Sequence, residues 1–386
     1  MTTFNVEDGN TKNAFIQCAK EVYLVMENKK FMYDGIYKFA ELAQIDTIIT
    51  ESPPSEGILN QLKKIESMFF KEEKSLIITV TLNPAIDYTI YLNHFKLGNV
   101  NSVEHAMADP GGKGINVSKV IKNLGGDGIA LGFVGGENGK LLIKQLDALD
   151  IRHCFTQVQG NTRRNLKIVD GNTRETTDVN ENGEMIQKDE LNALIHRFKE
   201  TVKKQDFVVI SGSVPKGIPK DIYGTLAEIG RQAGAQVLLD TSKELLKASL
   251  SAELFLINPN IHELEEVLGT NLDTLDHIVY HTKQFVQKNI QYICLSLGAE
   301  GALLISKDYI WKADVPKVPV QSTVGAGDSL LGGLVATLQQ GADIEEAFTY
   351  GIAASVAAVT KKGTKAPRLE EIESLFNQIV ITQLEV

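Results

Sequence analysis

From Leu76 onward, short apolar runs rich in β-branched residues alternate with longer amphipathic segments. Apolar runs of strand length include LIITVTLN, DFVVISGSVP, AQVLLDTS and LFLINPN. Segments with helical spacing lie between them, among them GINVSKVIKNLG, IYGTLAEIGRQAG and SLLGGLVATLQQG. Strand and helix recurring in this order are typical of a mostly parallel sheet flanked by helices on both faces. The pattern therefore predicts an α/β fold.

Polar and glycine-rich segments follow the predicted strands. They are TLNPAID, VISGSVPKG, LLDTS, LINPN, CLSLGAEG and STVGAGDS. In an open parallel sheet the carboxyl ends of the strands lie along one edge, and ligands bind beyond that edge. We therefore expect the functional residues to lie in these segments.

Two segments break the alternation of strand and helix. In DYTIYLNHF and TRRNLKIVDGNTRETTDVNENG, apolar and polar residues alternate over short distances, without an intervening helical segment. Such a pattern favours antiparallel strands. We predict a small antiparallel β lid formed by segments near 85–107 and 160–182, which would exclude water from a site beneath it.

The first 74 residues have a different character. The pattern predicts a strand, a helix and a second strand, then a Pro-Pro turn and a charged helix that ends in KEEKS and serves as a linker. A segment of this size buries little core by itself. We therefore divide the chain into an N-terminal α/β appendage, residues 1–74, and a main domain, residues 75–386.

Composition and charge narrow the functional classes. The chain has 39 Lys and Arg against 49 Asp and Glu, a net charge of -10, which disfavours non-specific binding to nucleic acid or anionic membranes. Cys18, Cys154 and Cys294 lack metal-site spacing, and we expect buried, reduced thiols. The N-terminus shows no signal-peptide pattern, and no apolar stretch approaches the roughly 18 residues of a membrane span. We expect a cytoplasmic protein.

The stretch QSTVGAGDS, residues 321–329, places two glycines and an aspartate where a helix begins. Gly325 and Gly327 allow a sharp turn whose amides point outward, and the positive end of the helix dipole favours an anion there. A carboxylate such as Asp328 is repelled by a bound phosphate, so its place here makes sense if it faces the proton of a hydroxyl group that attacks the phosphate. This arrangement suggests a kinase. The alternative is that Asp328 only caps the helix. A dinucleotide fingerprint would need glycine at Leu330, and no GxxxxGK[ST] motif occurs.

A second constellation lies near the start of the main domain. Asp87, in TLNPAID, can accept hydrogen bonds from two sugar hydroxyls. In the GGKGIN segment, Gly111 and Gly112 allow close approach of a ligand, while Lys113 and Asn116 supply donors. Taken alone, GGKG is also compatible with an ordinary loop and Asn116 with a helix cap.

Seven motifs in a fixed order resemble the PfkB branch of the ribokinase-like sugar kinases. They are TLNPAID, PGGKGIN, GNTRRNLKI, SGSVPKG, NPNIHE, SLGAEGAL and VGAGDS, and the resemblance covers residues 75–386. It implies a ribokinase-like fold and a reaction that uses ATP and Mg²⁺ to phosphorylate a small sugar phosphate.

The resemblance also implies site roles. Asp328 is the base, and the anion hole consists of Gly325, Ala326 and Gly327. The residues that bind the sugar are Asp87, Gly111, Gly112, Lys113 and Asn116, with Arg163 on its phosphate. Those near the ATP are Ser296, Gly298, Gly301, Asn260 and Glu263, of which Glu263 reaches the Mg²⁺ through water. Kinases of this branch often pair through their lids, which implies a homodimer.

Within the family, TLNPAIDYTIYL, FKLGNVN and TVGAGDS look most like 1-phosphofructokinases, which convert fructose 1-phosphate to fructose 1,6-bisphosphate. Tagatose-6-phosphate kinases are near neighbours that tend to carry serine at the position of Ala326 and alanine at that of Ser329. The chain departs from both at Asn258, where lysine is usual. A non-catalytic sugar-phosphate sensor is a further alternative. VYLVMENKKF and FAELAQIDTIITE resemble the last part of the sensor domain of DeoR-family sugar regulators.

Overall fold

The computed structural model divides the chain into two compact units, Met1–Lys74 and Ser75–Val386. It describes residues 2–3, 5–26, 30–31, 37–50, 75–173, 175–361 and 363–384. The predicted Pro-Pro turn, charged helix and linker of the first unit lie outside these residues.

The described part of the N-terminal unit contains one α-helix and four short strands. They are β1 (Thr2–Thr3), α1 (Val6–Cys18), β2 (Tyr23–Val25), β3 (Tyr37–Lys38) and β4 (Thr47–Ile49). β1 pairs with β3 antiparallel, and β2 pairs with β4 in parallel. Ile45 and Ile48 form a small buried cluster under β2 and β4. The sequence analysis predicted the strands β2 and β4 but missed α1, because its apolar residues have no helical spacing. Where it predicted a helix between the two strands, the described residues contain β3 and a short 3-10 turn, Leu42–Gln44.

The described part of the larger unit contains fourteen strands and ten helices. The strands are β5 (Ile77–Thr81), β6 (Ala85–Leu92), β7 (His105–Gly111), β8 (Gly128–Val134), β9 (Thr156–Gln157), β10 (Arg163–Asp170), β11 (Thr176–Asn180), β12 (Phe207–Ser211), β13 (Gln236–Asp240), β14 (Leu254–Ile257), β15 (Ile290–Ser296), β16 (Ala302–Ile305), β17 (Ile310–Asp314) and β18 (Val380–Leu384). The helices are α2 (Lys113–Asn123), α3 (Gly136–Ala148), α4 (Lys188–Thr201), α5 (Ile222–Ala233), α6 (Lys243–Ser249), α7 (Ile261–Leu268), α8 (Leu275–Val286), α9 (Ala326–Gln339), α10 (Ile344–Val359) and α11 (Leu369–Phe376).

Ten strands form the main sheet, in the order β18-β17-β16-β15-β14-β13-β12-β5-β8-β9. The seven from β15 to β9 are parallel, and β16, β17 and β18 extend the sheet with antiparallel pairing. The predicted mostly parallel sheet flanked by helices is confirmed. The antiparallel strands at its edge were not predicted individually, because their apolar runs are short.

Both faces of the main sheet are buried, which explains the continuous apolar runs in its strands. Alternate residues of each strand belong to different clusters: Ile78 lies in one and its neighbour Ile77 in the other. The first cluster includes α4, α5, α7 and α8, and the second includes α2, α9, α10 and α11. α2 and α9 pack on the same face, and a hydrogen bond from Asn116 to Asp328 joins their first turns.

A second sheet has the strand order β11-β10-β6-β7. Its outer pairs are antiparallel, as expected, but its central pair, β6 with β10, is parallel. β6 follows β5, and β10 follows β9. Since β5 and β9 run in the same direction in the main sheet, the chain leaves the same edge twice and the two following strands align in parallel. We call this four-stranded element the small sheet.

The thiols differ from the expectation. Cys294 is buried, Cys154 is half-buried and Cys18 is exposed. The prediction of three buried thiols is therefore wrong for Cys18, which ends α1 on its exposed side. Among the described residues, no helix combines the length and the apolar character needed to span a membrane.

Candidate active site

Polar residues at the ends of neighbouring parallel strands meet beside the start of α2. Thr81 ends β5, Ser211 ends β12 and Asp240 ends β13, and these three strands are adjacent in the sheet. The chain runs from β5 outward to β9 in one direction and from β12 outward in the other. The boundary between β5 and β12 is therefore a topological switch point, where ligands bind in open α/β sheets.

Gly325 is the N-cap of α9 and has a φ of 83°. This left-handed conformation favours glycine, which explains its place in the turn. Asp328 lies inside the first turn and makes no cap hydrogen bond, so the interpretation of Asp328 as a helix cap is wrong. Ala326 N donates to Thr323 O at 3.3 Å. Within the described residues, the amides of Gly327 and Asp328 have no acceptor, and both are available to an anion.

The carboxyl group of Asp328 is buried and held by α2. Asn116 Nδ2 donates to Asp328 Oδ2 at 2.8 Å, and Asp328 is 6% exposed. Burial, reinforced by the charge of Asp240, raises the pKa of Asp328 to about 7, against the opposing effects of Lys113, Asn116 and Lys119. A carboxyl group with such a pKa can accept a proton near neutral pH. Asn116 lies within α2, so it does not cap the helix.

Lys113 and Asp240 form an ion pair at the same place. Lys113 Nζ lies 2.9 Å from Asp240 Oδ1, and the side chains are 39% and 3% exposed. Burial by itself would lower the pKa of Lys113, but the charges of Asp240 and Asp328 outweigh it and raise the pKa. Lys113 therefore remains a cation beside two acidic groups.

Asp87 lies within β6, in the small sheet, rather than at the end of a main-sheet strand. Asn165 Nδ2 donates to Asp87 Oδ1 at 2.8 Å. A Cβ atom at Gly111 would overlap the carboxyl group of Asp87, so the absence of a side chain at Gly111 makes room for this carboxylate. Burial raises the pKa of Asp87, while Asn165 and the charges of Lys119, Arg163 and Lys167 oppose the shift.

Arg163 begins β10 and is fixed by its surroundings. Its Nε donates to Asn83 O at 3.2 Å, and its Nη1 donates to Asn165 Oδ1 at 2.7 Å and to Glu181 O at 3.0 Å. Asn165 links Arg163 to Asp87, because its Oδ1 accepts from Arg163 and its Nδ2 donates to Asp87. The charges of Arg163 and Asp87 also attract each other. The structure therefore brings Arg163 close to the predicted sugar site.

Asn260 and Glu263 form a reciprocal cap at the start of α7. Glu263 N donates to Asn260 Oδ1 at 2.9 Å, and Asn260 N donates to Glu263 Oε2 at 3.0 Å. Burial raises the pKa of Glu263, and the charge of Lys113 opposes this shift. Asn260 bridges to Ser296, which ends β15, so these three residues lie together at the carboxyl edge of the sheet.

The neighbourhood suits a hydrated magnesium ion. Asp240 Oδ2 and Asn258 Oδ1 are buried oxygens without a hydrogen-bond partner among the described residues. Asn258 also links the strand end to α9, because its Nδ2 donates to Gly327 O at 3.4 Å. Mg²⁺ prefers oxygen ligands and keeps several of its waters, and such waters are donors for unpaired carboxylate and amide oxygens. The residues present therefore fit a magnesium ion bound with nucleotide phosphates.

Gly298 and Gly301 both have positive φ, 63° and 91°, in the turn after β15. A Cβ at Gly298 would meet open space, whereas one at Gly301 would overlap the backbone oxygen of Ala313 on β17. Gly301 is therefore required by the packing of β16 against β17. A Cβ at Gly112, with φ 115°, would come within 2.8 Å of Thr81.

A cavity of about 800 Å³ extends from the small sheet along α2. Asp87, Lys119, Lys167 and Thr364 are among the residues that line it. Thr364 lies beside Gly325, at 3.7 Å from the position of a Cβ on that glycine. Of the predicted site residues the cavity touches Asp87, while Thr364 brings its lining next to the turn that begins α9. Lys119, which also lines the cavity, donates to Asn116 Oδ1.

Sequence reasoning assigned no site role to four polar residues, although it noted Asn258 as a departure from the family pattern. They are Lys119, Asn165, Asp240 and Asn258. Asp240 and Asn258 follow predicted strands in LLDTS and LINPN, so their positions at strand ends were a usable signal. Lys119 and Asn165 give no such signal, because their partners are set by the packing of α2 and by strand pairing in the small sheet.

A mostly parallel sheet, a small sheet beside its carboxyl edge and a buried aspartate in a glycine-started helix define a ribokinase-like carbohydrate kinase. Comparison with known families agrees. The protein-family model described as pfkB family carbohydrate kinase matches residues 80–372, and the chain belongs to this family. The model described as DeoR C terminal sensor domain matches residues 1–52, which confirms the resemblance of the N-terminal segment.

Relatives and solved structures support the same assignment. The chain is 34% identical to the 1-phosphofructokinase of Bacillus subtilis over 80% of its own length and 100% of that protein. It is 37% identical to the 1-phosphofructokinase of Borreliella burgdorferi over 74% and 92% of the two chains. Among structures, a putative phosphofructokinase from Staphylococcus aureus is 36% identical with a TM-score of 0.72, covering 80% of this chain and 99% of that one.

Proposed function

We propose that this protein transfers the terminal phosphoryl group of ATP to O6 of fructose 1-phosphate, giving fructose 1,6-bisphosphate and ADP. The observation that carries the proposal is the buried carboxyl group of Asp328, held by Asn116 in the first turn of α9 beside free amides. The choice of substrate is supported by three relatives, 33–37% identical, that are named 1-phosphofructokinase.

In the proposed reaction, O6 of the sugar attacks the γ-phosphorus of ATP. The O6–P bond forms, the bond between phosphorus and the bridging oxygen breaks, and ADP leaves with that electron pair. Asp328 orients the hydroxyl and accepts its proton. Because proton loss is late in a loose phosphoryl-transfer transition state, a carboxylate with a pKa of about 7 is basic enough. Of the predicted anion hole, Gly327 offers a free amide, and together with that of Asp328 it would stabilise the charge on the transferred group, whereas the amide of Ala326 donates to Thr323 O.

The sugar would lie between α2 and the small sheet. Asp87, Gly112, Lys113 and Asn116 would bind its hydroxyls, with Gly111 leaving room for the Asp87 carboxylate. We assign the remote phosphate to Arg163. Arg163 and Lys167 are two cations close to Asp87, and Lys167 lines the cavity, which supports an anion bound beside them.

ATP would lie along the carboxyl edge of β15, near Ser296, Gly298 and Gly301. When bound, Mg²⁺ supplies charge neutralisation on the β- and γ-phosphates. Asn260 and Glu263 would hold its waters, and the unpaired oxygens of Asp240 and Asn258 are additional acceptors for them.

The decisive experiment is ADP formation by purified protein with three acceptors: fructose 1-phosphate, tagatose 6-phosphate and fructose 6-phosphate. We expect the highest kcat/KM with fructose 1-phosphate and a product phosphorylated on both O1 and O6 by ³¹P NMR. Preference for tagatose 6-phosphate would support the alternative within the family. Absence of turnover with all three, together with sugar-phosphate binding by calorimetry, would support a non-catalytic sensor.

Asp328→Asn is the matched control for this panel. It keeps the shape of the side chain, and removal of a general base typically costs about 10² to 10⁴ in rate. We expect loss of turnover with ATP binding retained. Unchanged turnover in this variant would remove Asp328 from the role assigned to it.

We further propose that the protein forms a homodimer through the small sheet. One face of this sheet carries Tyr88, Ile90, Leu166, Ile168 and Val179, which the strand registers place side by side. Tyr88 and Val179 are 39% and 54% exposed. A solved relative, phosphofructokinase-2 from Escherichia coli, has a form described as tetrameric, with a TM-score of 0.74 and 27% identity.

A further inference from the structure

Lys119 is a lysine on α2 whose ammonium group is turned toward protein carbonyls. Its Nζ donates to Pro110 O at 2.5 Å and to Asn116 Oδ1 at 3.2 Å. Burial lowers the pKa of Lys119, while the charges of Asp87, Asp109 and Asp328 oppose the shift. Within the described residues, the hydrogen bonds of Lys119 go to these two carbonyl oxygens and to none of the three carboxylates. Lys119 also lines the cavity, but its contacts with carbonyl oxygens need an explanation of their own.

The explanation lies in the amide of Asn116. An ammonium group only donates hydrogen bonds, and an ionised carboxylate only accepts them. With Lys119 on one side and Asp328 on the other, a single orientation of the amide satisfies both neighbours: the oxygen toward Lys119 and the nitrogen toward Asp328. Without Lys119, the amide could turn its oxygen toward Asp328, and that contact would require a protonated carboxyl group.

We propose that Lys119 is a positioning residue for the phosphoryl transfer, acting through Asn116 to keep Asp328 ionised and aimed at the acceptor hydroxyl. This inference rests on the proposed function. Hydrogen bonding of Asn116 Nδ2 to Oδ2 leaves Oδ1 of Asp328 for the substrate. Lys119 does not need to touch the sugar or ATP to act in this way.

The groups that face Asp328 set the direction of the expected effect. Asp240, at the end of β13, disfavours the ionised form of Asp328. From α2, Lys113 and Lys119 favour it by their charge, and Asn116 favours it by its hydrogen bond. Removal of Lys119 takes away one charge and loosens the hydrogen bond, so both changes raise the pH at which Asp328 ionises.

The test compares Lys119→Met with Lys119→Arg, which retains donors for Asn116 and Pro110. Lys140→Met is the control, since Lys140 on α3 pairs with Glu137 at the surface. For Lys119→Met we expect the acid limb of the pH profile of kcat/KM to shift by about one pH unit toward higher pH. At a pH on this limb, kcat/KM should fall approximately tenfold, and at pH 9 it should fall much less. Lys119→Arg should restore the limb, and KM for ATP should stay within twofold.

A second measurement separates this inference from the proposed function. The carboxyl carbon of Asp328 can be followed by ¹³C NMR in protein labelled at aspartate, and Asp328→Asn assigns its signal. We expect a higher titration midpoint in Lys119→Met than in the parent protein or in Lys140→Met, whether or not the protein turns over sugar phosphates. An unchanged midpoint, or an equal loss of rate at every pH, would overturn the positioning role. Absence of turnover in the parent protein would instead overturn the proposed function.

Discussion

Lys113 and Asp240 form an ion pair that joins the start of α2 to the end of β13, with Nζ and Oδ1 2.9 Å apart. Both residues also act on Asp328: the charge of Asp240 raises its pKa, and that of Lys113 lowers it. The pair therefore balances the charge around the proposed base. The pH dependence of activity should report this balance directly.

The parent protein should lose activity as the pH falls through about 7, because the raised pKa of Asp328 leaves the carboxyl group protonated below that value. In the free enzyme kcat/KM reports the pKa of the base, so its slope should be tenfold per pH unit on the acid side. The measurement is kcat/KM for fructose 1-phosphate between pH 5 and 9 at saturating Mg²⁺ and ATP. An acid limb near pH 4, where an ordinary carboxylate titrates, would contradict the expected loss of activity around pH 7.

Asp240→Asn should move this acid limb to lower pH, because it removes the charge that disfavours ionisation of Asp328. Lys113→Met should move the limb to higher pH, because it removes the opposing cation. The two variants disturb the same ion pair, so a structural disturbance alone would shift both limbs in the same direction. Opposite shifts, measured with the same substrate series, are the expected result.

Local pattern was sufficient to predict the α/β sheet, the turn at Gly325 and the position of Asp328 at the start of a helix. Each depends on residues adjacent in sequence. The contacts that define the site do not: Lys113 and Asp240 are 127 residues apart, and Asn116 and Asp328 are 212 apart. Such pairs depend on the order of strands in the sheet and on the packing of α2 against α9, which periodicity along the chain does not contain.

Three predicted ligand residues have local structural roles that the motif alone does not distinguish. Asn260 and Glu263 cap α7 through reciprocal hydrogen bonds, a pattern of residues three apart that stabilises many helix starts. Gly301 is needed for packing against Ala313. In each case the same residue type suits a ligand and a structural contact, so the sequence leaves both interpretations open.

Gly301→Ala should destabilise the protein more than Gly298→Ala. Both glycines have positive φ, and a sparsely populated backbone conformation of this kind costs an alanine about 1–3 kcal/mol. Only at Gly301 would the added Cβ also overlap the backbone oxygen of Ala313, and overpacking adds about 1–3 kcal/mol. Thermal unfolding without ATP measures the difference. Equal destabilisation by the two variants would show that the turn tolerates the overlap.

Gly111→Ala should impair sugar binding, because the new methyl group would occupy the space of the Asp87 carboxylate. We expect KM for fructose 1-phosphate to rise by about tenfold or more, which corresponds to about 1.4 kcal/mol, with KM for ATP unchanged. Gly224→Ala is the control, since neither Gly224 nor Gly111 has a positive φ and a Cβ at Gly224 would make only an ordinary contact, 3.8 Å from Ala248 O. A parallel rise in KM for ATP would indicate a general disturbance of the site.

Val179→Lys should weaken the proposed dimer, because Val179 lies on the apolar face of the small sheet beside Leu166. Burying a lysine there without a partner carries a desolvation cost that an exposed position avoids. Thr176→Lys is the matched control: it lies on the same strand, β11, but its odd offset from Val179 places it on the opposite face. Sedimentation equilibrium should give a dimer for the parent protein and for Thr176→Lys, and a raised dissociation constant for Val179→Lys. A parent protein that sediments as a monomer at micromolar concentration would exclude this mode of assembly.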